Sequence, residues 1–205
     1  MTGTPRMVRP PAGGRTDRAQ IRQAVDQDRR AELFRQIVVP HLADGLGLAH
    51  WLVGNANDAE DVVQDACMRA LKALDGYHGG SARAWLLTIV RNAAFSWLAR
   101  QRSSALVMVG DLADIDDVAR DAPAGGADPQ PSVEADLIRQ AERKTVAKAI
   151  SDLSLPMREV VVLRDVNGFS YKDIAEMLNL PIGTVMSRLS RGRQQLAVLI
   201  RRAEA

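Results

Sequence analysis

Residues 168–199 read GFSYKDIAEMLNLPIGTVMSRLSRGRQQLAVL, and this stretch decides the fold of the C-terminal half. Ser170 precedes a helical pattern and Asp173 follows three residues later, a variant of the capping box in which each side chain satisfies a free amide of the other residue. Ile174, Ala175 and Leu178 then share one helical face. Ala175 is small where a second helix has to cross closely. Asn179 tolerates the left-handed conformation that ends helices. Pro181 cannot continue the first helix but suits the entry to the next. In that second helix Val185, Leu189, Leu196 and Leu199 recur at helical spacing and face inward, leaving Thr184, Ser187, Arg188, Arg191 and Gln195 facing out.

The outward set holds hydroxyls, a carboxamide and guanidiniums. From Pro181 to Arg202 there are five arginines and no acid. A helix-turn-helix lays such a helix in the major groove, its N-terminal side chains near base edges and its arginines on phosphates or guanines. A plain helical hairpin with a solvated basic face has the same periodicity. The tight corner, the expected shortness of the second helix and the single sign of charge together favour the groove-reading alternative.

Upstream, 205 residues allow two small domains or one larger one. Apolar residues make up 46% of the chain but aromatics only 4%, and Ala, Leu, Val and Ile dominate at helical rather than strand spacing. The net charge of +2 conceals segregation of sign along the chain. A single cysteine, Cys67, excludes an internal disulfide, and three scattered histidines offer no metal-ligand spacing, so neither metal nor cofactor is expected. No apolar run approaches the ~20 residues of a membrane span. The N-terminal arginines are not followed by the apolar core of a secretory signal, which makes a cytoplasmic protein the expectation.

Met1 to about Asp17, rich in Pro, Gly and Arg, is expected to be a disordered basic tail. From Arg18 to Val53 two apolar stripes, Leu33–Phe34–Ile37–Val38 and Leu46–Ala49–Leu52–Val53, predict two helices, with Pro40, Gly45 and Gly47 as candidate breaks. Asn57 is the expected cap of a helix over 58–74. Ala59, Val62, Val63, Ala66, Ala70 and Leu74 form its buried face. Asp58, Asp61 and Asp65, flanked by Glu60 and Gln64, run down the other side with Met68 and Lys72. Acids in a first turn are favoured by the helix dipole alone, by about 0.3–1 kcal/mol each. Asp65, two turns in, gains little that way, so the stripe also fits a basic protein surface.

A glycine-rich loop over 75–80 leads to Ser81, the expected cap of a helix reaching Arg102. Leu86, Ile89, Val90, Ala93 and Trp97 are its predicted inner face. Arg83, Trp85, Arg91, Asn92, Phe95 and Arg100 supply cations, rings and a carboxamide, with no acid between Ser81 and Val109. Arginines interleaved with aromatics suit single-stranded DNA, the guanidiniums following the backbone and the rings stacking on bases. Trp85 and Phe95 equally suit an ordinary core. Residues 103–131, with Asp111, Asp114, Asp116, Asp117, Asp121 and Asp128 among prolines and glycines, read as a flexible acidic linker. Helical periodicity returns over 132–152, where Leu137, Ala141, Val146 and Ile150 are the predicted inner side. A further helix starts at Ser154-Leu155-Pro156 and ends at Asn167-Gly168.

Three blocks in this order, DAEDVVQDACMRALKAL (58–74), ARAWLLTIVRNAAFSWLARQR (82–102) and LPMREVVVLRDVNGFSYKDIAEMLNLPIGTVMSRLSRGRQQL (155–196), resemble a bacterial RNA polymerase sigma factor, in particular the small extracytoplasmic-function (ECF) group that keeps only regions two and four. The resemblance implies an all-α chain: a basic tail (1–17), region two (18–102), an acidic linker (103–131) and region four with the helix-turn-helix (132–205). It implies core RNA polymerase and promoter DNA as partners, with an anti-sigma factor as regulator. Asp58, Asp61, Gln64 and Asp65 would dock on the polymerase clamp. The helix at 82–102, with Arg83, Trp85, Arg91, Asn92, Phe95 and Arg100, would read and help melt the −10 element, Asn92 matching a base-reading position. Thr184, Ser187, Arg188 and Arg191 would read the −35 element, and the linker would thread toward the polymerase active site. A stand-alone helix-turn-helix regulator is the alternative, but it needs a dimer seam or ligand domain and no heptad run is present. A nucleic-acid enzyme would need carboxylates clustered with His or Cys, which the chain lacks.

Overall fold

The computed structural model describes residues 14–107 and 133–203, and every described element is helical. In chain order they are α1 (Gly14–Ile37), α2 (Leu42–Val53), α3 (Ala56–Ala73), α4 (Ala82–Val107), α5 (Val133–Ser151), α6 (Leu155–Val161), α7 (Tyr171–Leu178) and α8 (Ile182–Ala203). The expectations for Met1–Gly13 and for residues 108–131, including all six linker aspartates, lie outside the described residues. Two boundaries move. Helix α1 already covers Gly14–Asp17, because no Pro or Gly interrupts the chain between Gly14 and Pro40. Helix α4 carries its hydrogen-bond ladder through Ser103–Val107 and so takes in the first residues assigned to the linker.

The first half is a bundle of α2, α3 and α4. Only Pro40 breaks the segment before it, inside a single tight turn over Val39–His41. Gly45 and Gly47, expected to split the segment, lie within α2. Gly45 serves packing instead: a Cβ there would stand 3.3 Å from Val90 Cγ2, so its absence lets α2 approach α4. Gly54, at φ 100°, closes α2 by returning its amide to the His50 carbonyl at 2.9 Å. The buried stripe of α2 is Leu48, Ala49 and Leu52, while Leu46, placed on that stripe by spacing, points outward at 40% exposure. Opposite it, α3 buries Ala59, Val62, Ala66 and Ala70, mostly small side chains that permit close crossing. Helix α4 supplies Leu86, Leu87, Val90, Ala93 and Ala94. Partial burial pushes the Cys67 thiol up from its ordinary value, which suits a packing group rather than a nucleophile.

The second half packs α5, α6, α7 and α8 around Ile150, Leu153, Val160, Leu163, Ile174, Val185 and Leu189. Helix α5 turns Ala147 and Ile150 inward and leaves Val146, expected inside, 41% exposed. Helix α6 continues into one wide π turn over Val162–Val166, ended by Gly168 at φ 75°. The capping box of α7 is complete: Ser170 Oγ accepts from the Asp173 amide at 3.1 Å, and Asp173 Oδ2 accepts from the Ser170 amide at 3.1 Å. Asn179 takes the left-handed conformation at φ 50°, as its type and position require. Gly192 lies against α6, where a Cβ would come within 2.8 Å of Val161 Cγ2, so α8 sits as close as its backbone allows.

The halves are docked. Helix α4 lies against α7, and α2 against α6 and the π turn, so that one buried cluster draws side chains from both.

Candidate nucleic-acid interface

Helix α3 begins at Asn55 rather than at Asn57. The Asn55 side chain accepts the Asp58 amide at 2.8 Å, and its own amide donates to the Asp58 carboxylate. Asn57 is already inside the first turn and exposed. Asp58 therefore contributes to the start of the helix as well as to its charge. Asp61 and Gln64 are exposed. Asp65 accepts from Arg69 Nη2 at 2.7 Å, one turn further on. Met68 (57% exposed) and Leu71 (37%) continue this face, so the acidic stripe runs into apolar knobs. Leu71 had no signal of its own in the sequence.

Ser81 caps α4 as its position suggests, its hydroxyl accepting the Ala84 amide at 3.2 Å. The structure divides the candidate residues of this helix. Trp85 and Asn92, seven apart, lie on one side of the helix, where Trp85 still packs in part against the core. Trp85 is half-buried against Tyr77, ring centroids 5.2 Å apart and planes at 57°, while Asn92 is exposed. Arg100 is exposed further along. Arg83 and Arg91 instead turn to the second half of the molecule. Arg83 donates from Nε to Asp44 at 2.5 Å and from Nη1 to the Asn167 carbonyl at 2.7 Å, and its guanidinium lies 4.6 Å over the Phe169 ring. Arg91 donates to Glu159 and to Asn92 Oδ1 (3.0 Å), with its guanidinium 4.2 Å from the centre of the Phe95 ring. Phe95 is thus the floor of a cation–π stack rather than an open platform for a base.

Glu159 is only 1% exposed and its partner is Arg91 of the other half. The sequence held a sign of it: Glu159 shares a helical face with Val162 and Leu163, both buried, so period alone puts a carboxylate inside. Arg158 beside it reaches back, donating to the carbonyls of Trp51 (3.3 Å) and Leu52 (3.5 Å) in α2 and of Leu153 (3.1 Å) in its own half.

Helix α8 exposes half of its candidates fully. Ser187 and Arg191 are exposed, and Thr184 and Arg188 are half-buried at the N-terminal end. Arg193, on another side, binds Asp165 of the π turn at 3.1 Å and helps fix the angle of α8; the hydrogen bond to Asp165 raises its pKa above the ordinary arginine value. Among the described residues no cluster of His, Cys, Asp and Glu could hold a metal ion, and no helix is long and apolar enough to cross a membrane.

These surfaces fall within segments that known families share. Residues 37–104 match the model of sigma-70 region 2, and residues 143–196 that of sigma-70, region 4. Over 184 residues the chain is 32% identical to the ECF RNA polymerase sigma-E factor of Escherichia coli K12, covering 88% of this chain and 92% of that protein. It is 33% identical over 186 residues to the RNA polymerase sigma-H factor of Pseudomonas aeruginosa, covering 88% and 91%. Among solved structures it resembles the sigma factor RpoE of Bartonella quintana, crystallised with the anti-sigma factor NepR, at TM-score 0.64 and 29% identity over 82% of this chain and 96% of that one. It also resembles CnrH in complex with the cytosolic domain of CnrY, at TM-score 0.56 and 27% identity over 90% and 96%.

Proposed function

The chain belongs to the ECF group of RNA polymerase sigma factors, transcription initiation factors that bring core polymerase to its promoters, and we propose that three of its helices divide that work. Helix α3 docks on core polymerase through Asp58, Asp61, Gln64 and Asp65, with Met68 and Leu71 adding apolar contact. Helix α4 reads the −10 element. Asn92 offers both a donor and an acceptor to one exposed base, Trp85 offers a ring, and Arg83, Arg91 and Arg100 meet the strand's phosphates. Helix α8 reads the −35 element through Thr184, Ser187, Arg188 and Arg191.

The observation that carries this division is the open, one-signed face of α8, held on a capped α7 by the Asn179 corner. A groove-reading helix needs that rigidity and that charge, and a solvated hairpin needs neither. The chain acts by positioning polymerase on DNA, with no bond chemistry of its own, and works in the cytoplasm. Its two domains are region two over 18–102 and region four over 132–205, joined by the acidic segment. RpoE was crystallised with an anti-sigma factor, and we infer that a protein of the same kind regulates this chain. The test is run-off transcription on genomic fragments with and without core polymerase, together with co-purification of the two. Specific initiation with core enzyme is expected. Sequence-specific duplex binding without any polymerase association would favour the stand-alone regulator.

A further inference from the structure

The first turns of α8 hold more than the hydroxyls and arginines assigned to the −35 element. Ile182 and Met186, four residues apart and so on one side of the helix, are 50% and 52% exposed. Neither belongs to the inner face, where Val185, Leu189 and Gly192 are buried. Gly183 and Ser187, next around the helix, are exposed too, and a Cβ at Gly183 would meet nothing within 4 Å. The Ser187 hydroxyl donates to the Thr184 carbonyl at 3.0 Å, so its proton is used within the helix. Arg193, two turns beyond Met186, is drawn onto Asp165. Arg188 and Arg191 lie on the other side of Ser187. The N-terminal end of α8 therefore presents an uncharged, largely apolar strip beside a cationic one.

We propose that Ile182 and Met186 read the C5-methyl groups of thymines in the −35 element, a source of base choice separate from the arginines. This rests on the assignment of α8 to that element. A helix-turn-helix puts the N-terminal side chains of its second helix at base edges in the major groove. Thymine alone among the four bases carries an apolar group on that edge, and an apolar side chain is what its methyl takes up. A guanidinium seeks acceptors such as guanine O6 and N7 and gains nothing from a methyl. In the free chain Ile182 and Met186 leave apolar surface in water, and contact with a methyl removes part of it. Met186, unbranched and polarizable, can follow the methyl, whereas Ile182 is stiff at χ1 and sits at the start of the helix. No carboxylate on α8 opposes the approach of DNA.

Uracil in place of thymine removes the methyl and keeps the O4 acceptor, so the swap isolates this contact. Holoenzyme assembled from the full chain and core polymerase first selects its preferred duplex from a pool randomised over the −35 element. That duplex is then made with thymine or uracil at each thymine position of the element, on either strand. Competition binding is expected to show a loss of about fourfold on uracil at one or two positions, the worth of one buried methyl. The double variant Ile182→Ser/Met186→Ser, checked for folding by thermal melting, is expected to bring that thymine-to-uracil ratio to about one. Arg188→Ala and Arg191→Ala are expected to keep the ratio while changing selection at other positions. Equal binding of thymine and uracil duplexes by wild type overturns the proposal, as does a preferred −35 element without thymine. A ratio that survives in the double serine variant also overturns it, since other side chains then read the methyl. If that variant instead loses only its affinity for core polymerase, the strip belongs to a protein contact. The arginine variants separate these failures from failure of the α8 assignment. If either alters −35 selection, α8 stands as the reader and the methyl contact alone fails; if neither does, the assignment itself has failed.

Discussion

Helices α4 and α8 look alike as sequence: each is a long helix with arginines, hydroxyls and two carboxamides, and neither carries an acid within the described residues. In the folded chain they behave differently. Helix α8 shows Ser187 and Arg191 to solvent, and its buried contacts come from Val185, Leu189 and Gly192, the last pressed against Val161. Helix α4 has apolar side chains along its inner face as well, but two of its arginines are spent within the chain, on Asp44, Asn167, Phe169 and Glu159. The difference teaches that a cationic face in a sequence is an inventory of donors. Whether those donors meet DNA or another part of the same chain depends on what packs alongside.

The largest effect should come from the acidic face of α3, which neither helix of this pair covers. Replacing Asp61 and Asp65 together by lysine puts like charges at a basic docking surface, where such juxtaposition costs several kcal/mol. Core polymerase affinity is expected to fall by about a hundredfold or more in a pull-down titration, with the melting temperature little changed because both side chains face outward. Near-normal affinity would show that α3 is not the docking helix.

Next, α8 can be tested as the open member of the pair. Arg188→Ala and Arg191→Ala are expected to cost about 1–3 kcal/mol at a single base if the arginine grips a guanine, and to relax preference there. A phosphate contact would instead weaken all sequences alike and lower the salt dependence. Competition binding across a randomised −35 element distinguishes the two, and no change in either variant would mean that another face of α8 enters the groove.

Helix α4 is tested at its exposed carboxamide. Asn92→Ala is expected to change discrimination at one base of the −10 non-template strand by roughly the worth of one hydrogen bond, about 1 kcal/mol. Transcription from a library randomised at −10 reads this out, and −35 preference and polymerase binding should not move. A flat profile would remove Asn92 and leave the loop over 79–83 as the next candidate. The smallest functional effect should come from Ser170→Ala. It deletes one half of the α7 capping box and costs about 1 kcal/mol of stability in thermal melts, with base choice unaltered. Altered −35 preference in that variant would show that the cap also positions α8.

Much of the local fold could be read from the sequence. The Ser170–Asp173 box, the Asn179 corner and the buried face of α3 follow from neighbours within a few residues, where helical period and hydrogen-bonding chemistry leave few choices. The fold departs from local expectation where two local solutions are equally good. Asn55 and Asn57 both make caps, and the chain uses Asn55 because Asp58 answers it three residues on. Leu46 and Val146 sit at the edge of an apolar stripe, where a small rotation of the helix turns a side chain out.

The sequence by itself therefore determined the helices, the capping box of α7, the corner over 179–181 and the segregation of charge, since each depends on contacts within one or two turns. Only the tertiary structure decided which donors remain open. Glu159 and Arg91 stand 68 positions apart, and Arg83 and Asn167 stand 84 apart. No periodicity links residues that distant. Their pairing is set by how closely α2, α4, α6 and α7 can approach, and that in turn depends on small side chains such as Gly45 against Val90, whose use is invisible until the helices are packed.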